Sequence, residues 1–178
     1  GNNPTRLNDV LDTIISNVMR QHGVIDHISG DSLIATFGAH KPCFMHETAA
    51  CMCALEVMKE EVIMKNVFIA ADTTQMEVGT IGAQGRLVRS VIGESSELCQ
   101  KISALSRFIL HANIVATERT ARVVTGISKI PVDIITASSR YRDTPLDATL
   151  FQIAPTEKRD DAKYKQGFTQ VISGAFDD

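Results

Sequence analysis

The stretch from Gly23 to Ala39 constrains the fold more than any other part of this chain. It contains two runs rich in Val, Ile, Leu and Phe, and these runs flank the pair Gly30-Asp31. A two-residue loop with Gly in first place is typical of a tight antiparallel hairpin. The sequence therefore predicts a hairpin that belongs to the core and carries one carboxylate, Asp31, at its tip.

A carboxylate at a hairpin tip has two interpretations. Asp31 can hold a divalent cation, because Mg²⁺ takes only one or two protein carboxylates and fills its octahedron with water and phosphate oxygens. It can also be a turn residue, because Asp commonly accepts hydrogen bonds from backbone N–H groups within its own turn. The spacing alone leaves both interpretations open.

The composition indicates one compact domain. The chain has 178 residues and is 44% apolar, which is enough to bury a core. Its 18 basic and 21 acidic residues give a net charge of -3, so nothing points to nucleic acid or an anionic membrane as a partner. No apolar run approaches the ~20 residues of a spanning helix. We expect a cytoplasmic domain, or the cytosolic part of a larger protein.

The cysteines predict reduced and mostly buried thiols, because none of them shows CxxC spacing. They are Cys43, Cys51, Cys53 and Cys99. His40 and His46 lie close to Cys43, but no second ligand pair follows at zinc-finger spacing. The favoured interpretation of this group is a loop that leads into a helix.

Apolar periodicity predicts a mixed order of helices and strands. Helices are predicted at 4–22, 46–60, 94–106 and 117–124, the last capped by Thr117. Strands are predicted at 24–37 as a hairpin, 66–71 with 76–81 as its hairpin neighbour, 87–92, 113–116, 130–135 and 149–153. The predicted domain covers residues 1–155, and residues 156–178 are predicted to be a charged linker and C-terminal tail.

Two ordered blocks resemble class III adenylate and guanylate cyclases. In the hairpin, the residues that match the metal-binding pattern of that family are Asp26, Gly30, Asp31, Ala35, Phe37 and Gly38. The block from Val78 to Leu105 resembles the family's VGNIGS and VIGDTVNLAARL segments, in the same order and at about the same separation. The resemblance extends from Pro4 to about Ala154.

The resemblance implies an α+β fold, a ferredoxin-like sandwich of the class III cyclase type. That fold opens with a strand near the centre of its sheet, and this chain begins after the corresponding position. In the family, the strand carries a second metal-binding acid and the backbone that cradles the triphosphate. We therefore expect the first strand of the fold to be missing from this chain.

The resemblance also implies a reaction, in which ATP or GTP becomes cAMP or cGMP with loss of pyrophosphate. That chemistry uses two Mg²⁺ or Mn²⁺ ions and cationic groups on the phosphates. In cyclases the site forms between two domains, so the implied partner is another cyclase-type domain. Asp31 is the one metal-binding acid of the family that this chain retains.

The other family positions depart from the pattern. His27 replaces the purine-reading Lys, and Ser90 stands where the second purine selector lies. Glu97 replaces the ribose-orienting Asn, and Lys101 replaces the phosphate-binding Arg. The phosphate-binding Lys of the penultimate strand falls near Thr144, with Arg142 close by. A carboxylate at Glu97 would repel a polyanion, so this set indicates lost nucleotide function.

Glu97 and Lys101 also have a structural interpretation, which we favour. They lie four residues apart on a predicted helix with Glu first, which suits a surface ion pair worth ~0.3–0.5 kcal/mol. The first hypothesis is therefore a non-catalytic cyclase homology domain that acts in dimerisation or regulation of a larger protein. The alternative is one half of a heterodimeric cyclase, which supplies Asp31 and the acid on the missing strand to a partner carrying the Asn, Arg and Lys.

Overall fold

The computed structural model of the chain describes residues 4–60, 67–110, 112–138 and 145–155. The helices are α1 (Pro4–Arg20), α2 (His46–Val57), α3 (Glu94–Leu105) and α4 (Glu118–Ala121), with a π-helical turn at Ser106–Leu110. The strands are β1 (Val24–Ser29), β2 (Ser32–Thr36), β3 (Ile69–Ala71), β4 (Glu77–Ala83), β5 (Arg86–Ile92), β6 (Ile114–Thr117), β7 (Ser128–Ala137) and β8 (Leu146–Ala154). The mixed α+β class is confirmed.

The hairpin predicted around Gly30-Asp31 is confirmed. Strands β1 and β2 pair antiparallel, and Ser29 lies opposite Ser32 at the end of the ladder. Gly30 has a φ of 60°, a left-handed conformation that glycine adopts without a side-chain clash. The Gly30-Asp31 turn therefore closes the hairpin as its sequence predicts.

Four strands form the main sheet, in the order β3-β6-β8-β7. β3 pairs with β6 in parallel, whereas β8 pairs antiparallel with both of its neighbours. The prediction that residues 76–81 form a hairpin with 66–71 is wrong, because β4 pairs with β5 instead. The reason is that the chain leaves the sheet after β3. The next side chain, Asp72, lies in a buried polar cluster, where it accepts hydrogen bonds from Thr117 and Arg119.

Helices α2 and α3 cover opposite faces of this sheet. Cys51 and Ala54 of α2 pack with Ile114 and Ala116 of β6. α3 packs on Val115 through its side chains Leu98 and Ile102. Successive side chains of a strand point to opposite faces, so β6 lies between the two helices.

Helix α1, which lies within the helix predicted at residues 4–22, carries an apolar stripe. Val10, Ile14 and Val18 pack together with Cys53 and Val57 of α2. The same cluster includes side chains of the first hairpin, which are Ile25, Ala35 and Phe37. The first hairpin is therefore held to the body of the domain by α1 and α2.

Strands β4 and β5 form a second antiparallel hairpin, residues 77–92, which we call the arm. Gly82 has a φ of 143°, and a Cβ placed there would lie 2.0 Å from the Arg86 carbonyl oxygen. Glycine is therefore required where the arm turns. The arm meets the first hairpin through β5 and β1, and its outer half carries exposed apolar side chains.

The expected missing strand concerns residues before Gly1 and stays a prediction. Among the strands that the structure describes, β2 pairs only with β1, and β3 pairs only with β6. Side chains of both strands, Ala35 and Ile69, pack in one cluster beneath α1 and α2. In the described ranges, no helix is long and apolar enough to cross a membrane.

Candidate active site

Asp31 lies exposed at the tip of the first hairpin, as the sequence predicts. Its carboxylate forms no ion pair or side-chain hydrogen bond with the other residues that the structure describes. The expected turn hydrogen bonds are therefore not made, and the charge of Asp31 faces solvent. No group of three His, Cys, Asp or Glu side chains suited to a metal ion exists within the described ranges.

A single carboxylate fits the requirements of a catalytic metal centre poorly. It would hold a hydrated Mg²⁺ or Mn²⁺ ion loosely, because most of the coordination shell would be water. The described residues contain no group of three such side chains, and the assignment of Asp31 as a metal ligand stays a prediction.

Asp26 joins the first hairpin to the arm. Its side chain is 5% exposed and accepts hydrogen bonds from the backbone N–H of Val91 at 3.0 Å and the hydroxyl of Ser90 at 3.1 Å. The β1–β2 ladder has an irregularity at this point, between Ile25 and His27. A bulge redirects a side chain from the regular ladder, which is how Asp26 reaches β5.

His40 completes this group, because its Nε2 lies 3.1 Å from Oδ1 of Asp26. The Ser90 hydroxyl is therefore engaged in a structural hydrogen bond rather than presented freely to a purine. His27, the other position where the family reads the purine, is exposed on β1. The structure brings Ser90 close to the first hairpin through Asp26, and the assignment of His27 and Ser90 to a purine site stays a prediction.

Glu97 and Lys101 pair with each other on α3. Lys101 Nζ lies 3.1 Å from Oε1 of Glu97 and also donates to the backbone carbonyl of Ser138. The predicted ion pair is confirmed. The two positions where the family binds ribose and phosphate thus contact each other and the end of β7.

Thr144 and Arg142 lie outside the described residues, as do Gly1 to Asn3 and the predicted tail 156–178. The predictions for these segments stay predictions. The other candidate residues fall into four places: the tip at Asp31, the exposed His27 on β1, the Asp26–Ser90 contact, and the Glu97–Lys101 pair.

A buried polar cluster that sequence analysis missed lies where β3 and β6 end. The carboxylate of Asp72 has no exposed surface and accepts hydrogen bonds from Arg119, Ser95 and Thr117. Arg119 also donates to Glu94 at 3.0 Å. The ends of parallel neighbouring strands meet at one edge of a sheet, and this signal could have placed Asp72 near Arg119.

The cluster fixes the charge of its members. Burial by itself would raise the pKa of Asp72, but hydrogen bonds from Arg119, Ser95 and Thr117 outweigh it and hold that pKa below its ordinary value. The hydrogen bond to Asp72 raises the pKa of Arg119. Thr117, predicted to cap α4 with its side chain, instead donates its hydroxyl to Asp72 at 2.5 Å.

A small hollow of about 110 Å³ adjoins this cluster. It is lined by Leu98, Thr117, Glu118, Arg119, Asp147, Ala148 and Thr149. Ligand pockets usually measure about 300–1,000 Å³, so this hollow is too small for a nucleotide. The Arg119 guanidinium at its wall is already engaged by Asp72 and Glu94.

The two buried cysteines of α2 have the properties of inert thiols. Burial raises the pKa of Cys51 to about 12 and that of Cys53 to about 11. All four cysteines are free. Near Cys43, the two histidines are engaged elsewhere, His40 with Asp26 and His46 with Glu47.

Comparison with known proteins adds structural neighbours. No protein-family model and no curated protein matches the sequence. The chain is similar to the guanylyl cyclase Cya2, with 18% identity, a TM-score of 0.67, and coverage of 90% of this chain and 86% of that one. It is similar to the adenylyl cyclase CyaB from P. aeruginosa, with 18% identity, a TM-score of 0.70, and coverage of 88% and 83%.

A third neighbour is the non-canonical dimeric guanylyl cyclase domain of the RhoGC fusion protein from the aquatic fungus Blastocladiella emersonii. The identity is 12% and the TM-score 0.63, with coverage of 84% of this chain and 81% of that one. The chain also spans about half the length of bacterial light-regulated adenylyl cyclases whose structures it matches. These likenesses show that the chain has the fold of the class III adenylyl and guanylyl cyclase catalytic domains.

Proposed function

We propose that this chain is a non-catalytic cyclase homology domain that acts in dimerisation or regulation of a larger protein. The contact between Glu97 and Lys101 carries this proposal. A nucleotide approaching these positions would meet a carboxylate where the family has an amide. It would also have to draw the ammonium group away from Glu97 and from the Ser138 carbonyl.

The purine-reading positions support the same proposal. The Ser90 hydroxyl donates a hydrogen bond to Asp26. His27 has an imidazole where the family has a Lys. Electrostatic stabilisation of a phosphoryl transition state needs donors aimed at the developing charge. Several such positions have changed together, which a single drifting residue does not explain.

The test is a cyclase assay of the purified chain, extended to include the expected first strand, with ATP or GTP and either Mg²⁺ or Mn²⁺. We expect no cAMP or cGMP above the level of a protein-free control, while an active cyclase domain run in parallel gives product. Turnover by the chain that disappears in Asp31→Asn would contradict the proposal, because the activity would then belong to its own site.

A second candidate function rests on Asp31 alone. Its exposed and unpaired carboxylate suits a domain that lends a metal ligand to a partner supplying the ribose, purine and phosphate contacts. The test mixes the chain, extended to include the expected first strand, with an active cyclase domain whose own metal-binding acids are replaced. Recovered turnover that requires Asp31 would favour the enzyme half, whereas an inert mixture leaves the non-catalytic domain.

A further inference from the structure

The loop between β2 and α2, residues 37–45, presents an aromatic side chain to solvent. Phe44 is 92% exposed, more than any other large apolar side chain that the structure describes. Met45 beside it is 44% exposed. Aromatic and Met side chains are enriched where proteins bind one another, because covering them removes much apolar surface from water. The loop therefore has the composition of a docking site.

The backbone of this loop is held in an unusual conformation. Met45 has a φ of 51°, which lies in the left-handed region that bulky side chains rarely adopt. Its carbonyl oxygen accepts a hydrogen bond from the backbone N–H of Ala49 at 2.9 Å. The Sγ atom of Cys43 lies 4.0 Å from the carbonyl oxygen of Gln21, just beyond the end of α1. Such conformations persist where the surroundings fix them and are common at binding sites.

A positive charge lies beside the exposed Phe44. Lys41 is exposed and forms no ion pair with the other residues that the structure describes. The carboxylate of Glu47, on the other side of Phe44 in the sequence, is engaged by His46 at 3.1 Å. The loop thus combines two apolar side chains with a free cation.

The predicted C-terminal tail has the complementary composition. Its apolar residues recur at intervals of three, one and four positions, which is the spacing of one face of a helix. They are Phe168, Val171, Ile172 and Phe176. Two acids, Asp177 and Asp178, follow them directly. An apolar face that ends in two negative charges matches an apolar loop that carries a positive one.

The tail is long enough to reach the loop. β8 ends at Ala154, and Ile153 lies in one apolar cluster with Cys51 of α2. Cys51 is six residues after Met45, which corresponds to about 9 Å along a helix. The 13 residues from 155 to 167 precede Phe168, and a chain of that length spans roughly 43 Å when extended.

We propose that the apolar face of the tail docks on the β2–α2 loop of the same chain and covers Phe44 and Met45. In this arrangement the acids that follow Phe176 approach Lys41. The inference goes beyond the proposed function, because it holds whether or not the domain is catalytic.

A tethered segment is the occupant that fits a site of this size. A stable interface between separate proteins buries roughly 800 Å² on each partner, which is more than two side chains supply. A segment of the same chain meets the loop at an effective concentration of the order of millimolar, so far fewer contacts suffice. A free partner would need a larger surface around Phe44.

Fluorescence of a single Trp tests the proposal in the full chain. The chain contains no Trp, so Phe44→Trp introduces one reporter at an exposed position. The comparison is the same chain with all four apolar tail residues replaced by Ser, which we call the tail variant. We expect acrylamide to quench the reporter at least about twofold more strongly in the tail variant, with emission at longer wavelength.

A second measurement uses the chain with Phe44 in place. Backbone amide hydrogen exchange in residues 41–49 should be slower in the unmodified chain than in the tail variant. Equal quenching of the reporter in both chains, together with equal exchange in residues 41–49, would overturn the inference.

Two changes serve as matched controls. Tyr164→Ser removes an aromatic side chain that precedes the apolar face of the tail, and it should leave the quenching of the Phe44→Trp reporter unchanged. Phe108→Trp places the reporter at a different exposed Phe, which is 71% exposed, and its quenching should not respond to the tail variant. A reporter at Phe108 that responded equally would overturn the assigned surface.

The other occupants give distinct results. Protection of the Phe44→Trp reporter that grows with protein concentration from about 1 to 100 µM would identify a second copy and overturn docking within one chain. Protection that appears only with vesicles of anionic and neutral phospholipid would identify a membrane and overturn it as well. None of these measurements depends on cyclase activity, so their failure leaves the proposed function to its own assay.

Discussion

Arg119 donates from two guanidinium nitrogens to the two carboxylate oxygens of Asp72, whose side chain has no exposed surface. This contact joins the end of β3 to the first turn of α4. Arg119 reaches further to Glu94 in the first turn of α3. The cluster therefore fixes the start of the helix that carries Glu97 and Lys101.

Replacing Asp72 should destabilise the domain strongly. Asp72→Asn keeps the shape of the side chain but removes its charge, and leaves the partly buried Arg119 paired only with Glu94. Breaking a buried ion pair by removing one partner costs about 3–5 kcal/mol. Since Arg119 is 32% exposed, we expect the lower end of that range, measured as the free energy of unfolding in urea.

The exposed ion pair between Arg122 and Glu118 offers the control for this change. Glu118→Gln should lower the free energy of unfolding by no more than about 0.5 kcal/mol, because exposed ion pairs contribute little. If Asp72→Asn cost no more than Glu118→Gln, the cluster would not stabilise the fold as described.

The stabilising effect of Asp72 should also depend on pH. The pKa of Asp72 is lowered in the folded chain, so its contribution is fully present above the unfolded pKa of about 3.9 and is lost as pH falls through the folded pKa. The difference in unfolding free energy between the unmodified chain and Asp72→Asn should therefore shrink below about pH 4. Urea titrations at neutral pH and at acid pH measure this difference in unfolding free energy. A difference that grew in acid would contradict the lowered pKa of Asp72.

Local patterns predicted the parts of this structure that depend on neighbouring residues. The Gly30-Asp31 turn, the stripe of α1 and the Glu97–Lys101 pair all arise from spacings of a few residues. The Asp72–Arg119 contact joins residues 47 positions apart, and the parallel pairing of β3 with β6 is similarly distant. No local propensity encodes such a pairing, which explains both the wrong hairpin partner for β3 and the missed cluster.

Asp26 could be recognised in the sequence as part of a matching motif, but its role could not. The hairpin pattern gives no sign that one residue of β1 is displaced from the ladder and turned toward β5. The contact with Val91 lies 65 residues further along the chain. The departures from the family pattern at His27 and Ser90 were visible from the sequence, whereas the use of the Ser90 hydroxyl depends on this tertiary contact.

Removing the Asp26 carboxylate should loosen the arm. Asp26→Ala leaves the Val91 N–H, the Ser90 hydroxyl and the His40 ring without this acceptor. Each buried group left unsatisfied costs about 1–3 kcal/mol, so we expect a loss of at least about 2 kcal/mol in unfolding free energy. The rate of backbone amide hydrogen exchange should rise more in residues 77–92 than in the main sheet.

Asp12→Ala is the comparison for this prediction, because it removes an exposed carboxylate from α1. It should change the unfolding free energy by about 0.5 kcal/mol or less and leave exchange in the arm unaltered. Equal exchange rates in the arm for the two variants would show that Asp26 does not anchor it.

The response to Mn²⁺ should show what Asp31 can bind. An exposed lone carboxylate holds a hydrated divalent ion loosely, so we expect at most a small rise in Tm at millimolar Mn²⁺. A ligand that binds only the folded state at a hundredfold excess over its Kd adds about 2.7 kcal/mol of stability, and such an effect would reveal a metal site. Asp31→Asn keeps the turn and removes the charge, so any rise that depends on Asp31 should vanish. A large rise in Tm of the unmodified chain that Asp31→Asn abolishes would favour the second candidate function, in which the chain supplies a metal ligand to a partner. A residue that serves only the turn cannot produce such a rise.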